Sequence, residues 1–131
     1  MIDVYIGIRI ESAENLSEIT SILNIEPTMQ HENGDLIGYD VKSKCNSWTL
    51  KRQLVKNGTT IMTVKNFFEQ YSSILENKDK LIKNGSMRIR LSLISLYGQL
   101  NYTLAPEDIA FLNDLHIPLE ISVFSYGGCD P

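Results

Sequence analysis

The chain has 131 residues, 43% of them apolar and 21% charged, with a net charge of −4. That length suits one domain with a single core, and the composition is that of a folded globular protein rather than a disordered one. No apolar run approaches the roughly 20 residues that cross a bilayer, the N-terminus lacks a basic region followed by an apolar stretch, and two cysteines are too few for a disulfide framework; the expectation is a cytoplasmic protein without a membrane partner.

Val4, Ile6, Ile8 and Ile10 alternate with Tyr5, Gly7 and Arg9, a period of two that predicts a strand with one buried face. Asn15 or Ser17 caps a helix whose Leu16, Ile19, Ile22 and Leu23 recur at helical spacing, and Pro27 ends it. After a turn-rich segment from His31 to Asp35, Ile37, Tyr39 and Val41 alternate as a short second strand, and Trp48 to Leu54 reads as a third. Val64, Phe67, Phe68, Tyr71, Ile74, Leu75, Leu81 and Ile82 fit one face of a long helix. Lys78, Lys80 and Lys83 complement the dipole at its C-terminal end, and Asn84-Gly85 stops it.

Met87, Ile89, Leu91 and Leu93 form another one-faced strand, Tyr97-Gly98-Gln99 a turn, and Leu100, Tyr102 and Leu104 a returning strand. Pro106 opens a helix carrying Ile109, Leu112 and Leu115. Pro118 breaks it, and Leu119, Ile121 and Val123 begin the last strand. The expectation is one folded unit over residues 1–126 with a flexible tail, 127–131.

One-sided alternation and the order of elements predict an α+β domain: a largely antiparallel sheet of about six strands with three helices on one face. Its first portion has ferredoxin-like, split β-α-β elements. Leu23-Asn24-Ile25-Glu26-Pro27 and Leu115-His116-Ile117-Pro118 end two strand–helix units alike, a faint echo that fits either a duplication or two units with the same task.

Charge is unevenly distributed. Residues 1–40 carry eight acids and one base, residues 41–90 eleven bases and three acids, and residues 91–131 five acids and no base. Either the blocks neutralise one another in the fold, or they leave an acidic face that steers a basic partner. Nucleic acid is not an expected partner, because phosphate binding needs a net basic footprint.

No catalytic, cofactor-binding or metal-binding set emerges. His31 and His116 have no second histidine or cysteine at ligand spacing. His31 reads as a solvated residue in an acidic turn, and His116 as a helix end favoured by the dipole. Lysines near Cys45 would lower its pKa, but the thiol has no histidine partner, and Cys129 lies in the tail. Glu107-Asp108 occupies a first helical turn, where the positive helix end accounts for both. Arg9, Arg88 and Arg90 share an outward parity, with Tyr5 beside them. If their strands are neighbours, they make a small basic patch on the open sheet face, either gripping a phosphate or carboxylate-rich partner or paired with acids such as Glu120. Trp48, two positions from Leu50, is expected in the core.

Several of these segments together resemble a bacterial family of domains of unknown function, family 4279. The resemblance rests on Val4-Tyr5-Ile6-Gly7-Ile8-Arg9-Ile10, on the stretch from Leu16 to Thr28, on Asn33-Gly34-Asp35, on Ser47-Trp48-Thr49-Leu50 and on the Phe67-to-Ile82 helix. Leu104-Ala105-Pro106-Glu107-Asp108-Ile109 and Leu115-His116-Ile117-Pro118-Leu119-Glu120-Ile121 complete it, so that it covers nearly the whole chain. These motifs are structural and bring no catalytic residue with them. Some members look like immunity proteins encoded beside secreted polymorphic toxins. The resemblance therefore implies a binding protein without catalytic activity, cofactor or metal, which neutralises a basic toxin domain stoichiometrically. The expected partner-binding residues are Glu14, Glu18, Glu32 and Asp35, with Asp108 and Asp114 behind them. The alternatives are a small-molecule or regulatory module using the open sheet face, and an enzyme with a dispersed site such as His31, Asp35 and Arg90.

Overall fold

In the computed structural model, which describes residues 1–128, the N-terminal alternation becomes the strand β1 (Ile2–Ser12). Val4, Ile6, Ile8 and Ile10 are fully buried, while Tyr5, Gly7 and Arg9 stay partly exposed. The chain continues through α1 (Leu16–Leu23), β2 (Met29–His31), β3 (Leu36–Gly38), β4 (Val41–Lys42), β5 (Asn46–Lys56) and β6 (Thr59–Thr60). Three short helices follow, α2 (Val64–Gln70), α3 (Ser73–Glu76) and α4 (Lys78–Ile82), and then β7 (Gly85–Tyr97), α5 (Pro106–Leu115) and β8 (Leu119–Gly128).

The main sheet has the order β2-β5-β1-β7-β8, with β6 folded back on β5. Both neighbours of β1 are antiparallel to it, and β2 is antiparallel to β5. Hence β2 runs parallel to β1 with β5 between them. Among the described residues, neighbouring strands run parallel only in β7 and β8, which are linked through α5. The α+β class and the largely antiparallel sheet agree with the sequence reading. The predicted tail begins inside β8, and Cys129 lies outside the described residues.

Among the described residues, five helices replace the three expected. The apolar stripe from Val64 to Ile82 is real, but the backbone leaves the helix at Tyr71 (φ −111°, ψ 48°) and again at Asn77 (φ −107°, ψ 11°). Ser73 and Asn77 are residues whose side chains compete with helical hydrogen bonding. Here Ser73 Oγ donates to the Leu23 carbonyl and Asn77 Nδ2 to the Ser73 carbonyl, both at 2.8 Å. Lys78 donates to the Leu115 carbonyl, so its charge serves the C-terminal end of α5 rather than of its own helix. Gly85 does not stop a helix; it opens β7. A Cβ there would sit 2.0 Å from the Glu11 carbonyl oxygen, so only glycine lets β7 close on the end of β1.

Asn15 caps α1 by accepting from the Ser17 N–H, as its position predicts. Asn24 and His116 end α1 and α5 in the left-handed conformation, with φ 55° and 54°. The echo in the sequence is thus a shared helix ending. The returning strand expected at Leu100–Leu104 does not form: those side chains pack against the core from an irregular segment, and β8 takes the place beside β7.

The core lies between the sheet and the helices. Trp48, Leu50 and Leu54 of β5 join the inner row of β1, under Leu16, Ile19 and Leu23 of α1 and Val64, Phe67 and Phe68 of α2. Trp48 has no exposed surface, and its Nε1 donates to Thr20 Oγ1 at 3.1 Å. Phe111 of α5 packs on Phe68 with ring centres 5.5 Å apart. The helical layer stops short of β8, where Leu119, Ile121 and Val123 are exposed although they stand in register with buried Ile89, Leu91 and Leu93. Among the described residues no helix is long and apolar enough to cross a membrane.

Candidate functional site

The alternation of Ile37, Tyr39 and Val41 predicts one short strand; instead the chain turns back within that stretch. Asp40 takes φ 56°, and β3 and β4 form a hairpin of their own, outside the main sheet. Leu36, Ile37, Tyr39 and Val41 are all exposed, Tyr39 completely. The neck of this arm is well held. Ser43 N–H donates to the Asp35 carbonyl at 2.7 Å, Gly34 N–H to the Ser43 carbonyl at 2.8 Å, and Asn33 N–H to Asn46 Oδ1 at 2.8 Å. The result is an anchored arm with an apolar, aromatic tip in solvent.

Beside the neck, Asn15, Leu16, Glu26, Gln30 and Glu32 line a depression of about 280 Å³ between α1 and β2. Between residues 11 and 46 the chain holds seven carboxylates and two lysines, so the arm rises from an acidic end of the molecule. Of the predicted partner-binding residues, Glu32 lines this depression and Glu18 is exposed in the first turn of α1. Glu14 is half-buried and accepts from Asn84 Nδ2 at 3.0 Å. Asp35 is exposed but accepts from the Glu32 N–H at 2.7 Å, which commits one oxygen to shaping the neck. The last two residues are elsewhere. Asp108 is buried and accepts from the Lys65 N–H at 3.2 Å, tying α5 to the start of α2, so it has no surface to offer a partner. Asp114 is exposed on α5, which packs against α2.

The dispersed His31–Asp35–Arg90 arrangement does not come together. His31 is on β2 and Arg90 on β7, with β5 and β1 between them, about 14 Å apart across the sheet alone at normal strand spacing and further apart along it. Cys45 is also not activated as its lysine neighbours predict. Burial, and after it the charge of Glu11, push its thiol pKa up, and Sγ donates to Glu11 Oε2 at 3.5 Å.

On the open sheet face, Arg9, Arg88 and Arg90 do meet. Arg9 and Arg88 are directly opposed across β1 and β7. Arg88 and Arg90 reach Glu120 on β8 at 3.2 and 3.4 Å, the pairing that the sequence reading allowed for. Lys51 and Gly7 escaped that reading, because only strand register places them in the same patch. The exposed arm escaped it too, since an alternating apolar stretch looks the same whether or not a sheet receives it.

No curated protein and no solved structure matches the chain. From residue 2 to residue 126 it matches the family described as Domain of unknown function (DUF4279), and it belongs to that family.

Proposed function

We propose that the protein acts by binding another protein stoichiometrically, as an immunity protein that neutralises the basic domain of a cognate bacterial toxin in the cytoplasm, without catalysis of its own. The β3–β4 arm carries this reading: four exposed apolar side chains on a hairpin with an anchored neck. Exposed aromatic residues of this kind, rimmed by polar groups, are what binding hot spots are made of. The acidic surround, with Glu18, Glu26 and Glu32 exposed, selects a cationic partner and speeds encounter with it. The fold supplies a rigid base. We read β1-α1-β2-β5-(α2–α4)-β7, with sheet order β2-β5-β1-β7, as a ferredoxin-like β-α-β-β-α-β unit extended by α5 and β8.

The test is co-purification with the toxin domain encoded beside this gene, together with protection of cells expressing that toxin. Tyr39→Ala should weaken the complex by about thirtyfold, the effect of losing a hot spot worth about 2 kcal/mol. Glu32→Lys should slow association, and its penalty should shrink as salt rises. A full-length protein that neither binds nor protects removes the proposal, and so does an intrinsic activity abolished by His31→Ala.

A further inference from the structure

Gly7 stands in the middle of the central strand, where glycine weakens a sheet by roughly 0.5–1 kcal/mol relative to alanine. Nothing in the backbone asks for it. Its φ is not positive, and a Cβ would lie 3.8 Å from the Leu50 carbonyl oxygen and 3.9 Å from that of Arg90, ordinary contact distances. What the missing side chain does is leave a hole. Register sets Lys51 of β5 and Arg90 of β7 on either side of Gly7 in one cross-strand row, their Cα atoms about 9–10 Å apart. Arg9 adjoins the row, and Met29, Thr49 and Ser92 complete the walls of a concavity of about 180 Å³.

The charge around this concavity is unbalanced. Arg9, Lys51, Arg88 and Arg90 face two carboxylates, Glu11 and Glu120. Arg9 and Arg88 are directly opposite one another, and like charges so placed destabilise a sheet unless something offsets them. Arg9 Nε is buried; it lies 3.1 Å from Glu11 Oε1 but makes no aligned hydrogen bond. Lys51 Nζ rests over the Tyr5 ring, 4.8 Å from its centre, a weak contact that is readily exchanged. Arg9, Lys51 and Arg90 thus line an empty position in a strand, and an unexplained strand glycine is a mark of close ligand approach.

We propose that this concavity binds a small molecule through one oxyanion, a phosphate or carboxylate group, seated on Gly7 between Lys51, Arg9 and Arg90. The cations supply charge-assisted hydrogen bonds. The volume fits one such group and falls below the about 300 Å³ at which pockets begin to enclose drug-sized ligands, so the rest of the molecule lies in solvent. The net charge of −4 opposes an extended polyanion. The site uses none of the arm residues, so it stands or falls separately from toxin binding.

The experiment follows thermal unfolding of the full chain against rising inorganic phosphate, glycerol phosphate and acetate, each compared with sodium chloride at equal ionic strength. The expected result is a saturable rise in Tm beyond the chloride control. Saturation by the phosphates alone assigns a phosphate ligand, by acetate alone a carboxylate, and by all three a general oxyanion site. Gly7→Val should fold with equal or higher Tm and lose the response, because its side chain fills the concavity. Arg90→Gln, which keeps the backbone as it is, should weaken apparent affinity at least tenfold, whereas Tyr39→Ala should leave it unchanged. No ligand exceeding chloride, or an undiminished response in Arg90→Gln or in folded Gly7→Val, overturns the proposal.

Discussion

On the covered face of β1, Val4, Ile6, Ile8 and Ile10 have no exposed surface; on the open face of the same strand stand Tyr5, Gly7, Arg9 and Glu11, all partly exposed. The first row is held by the removal of apolar area from water, about 1.5–3 kcal/mol for each large aliphatic side chain, and it leaves no room for a charge. The second row needs no such burial. It tolerates a glycine, a glutamate and an arginine set opposite Arg88 of β7, because water and neighbouring carboxylates screen the charges. Stability is thus concentrated on one side of the sheet, and the other side is free to be used for recognition.

The largest break in that contrast comes from the covered face. Trp48→Ala should cost about 3–5 kcal/mol by leaving a cavity under α1 and should leave the Thr20 hydroxyl without its indole partner. Denaturant unfolding measures this as a lower midpoint. A loss below about 1 kcal/mol would mean that the helical layer can collapse onto the gap. On the open face, Lys51→Ala should cost only about 0.5 kcal/mol, the loss of an exposed cation–π contact with Tyr5. The same unfolding curves test it, and a cost comparable with that of Trp48→Ala would erase the distinction between the faces.

The smallest effect belongs to Glu120. A hydrogen bond from Arg88, then the charges of Arg90 and Arg88, hold its carboxyl pKa below the usual glutamate value. A carboxylate lowered in the folded state contributes stability above its unfolded pKa and loses it as pH falls through the folded one. The tie between β7 and β8 should therefore persist at neutral pH and be lost as pH falls from the ordinary glutamate value through the lowered one. An NMR titration of the Glu120 side chain reads this directly, and a midpoint at or above the ordinary glutamate value would contradict it. The exposure of the pair keeps the effect small and sensitive to salt.

Much of the fold was legible because alternation is a local property. The inner rows of β1 and β7, the cap at Asn15 and the buried Trp48 follow from side-chain parity and from which side chains water rejects. The predicted Arg9–Arg88–Arg90 patch is parity again. By contrast, the 64–82 stripe has helical spacing throughout, but Ser73 finds a better partner in the Leu23 carbonyl, a contact 50 residues away. Leu100 to Leu104 alternates like a strand, yet β8 holds the ladder it would need. Asp108 looks like any solvated acid in a first helical turn until α2 packs over it.

By itself, then, the sequence determined the class of the domain and which face of each long strand would be buried, because both depend on periodicity within a few residues. Tertiary structure alone decided that the apolar stretch from Leu36 to Val41 stands free as an arm, and that Gly7 lies between Lys51 and Arg90. Periodicity tells a side chain which way to point. Which neighbour waits there depends on strand order and register, and those are settled only when distant segments compete to bury the most area and pair the most backbone groups.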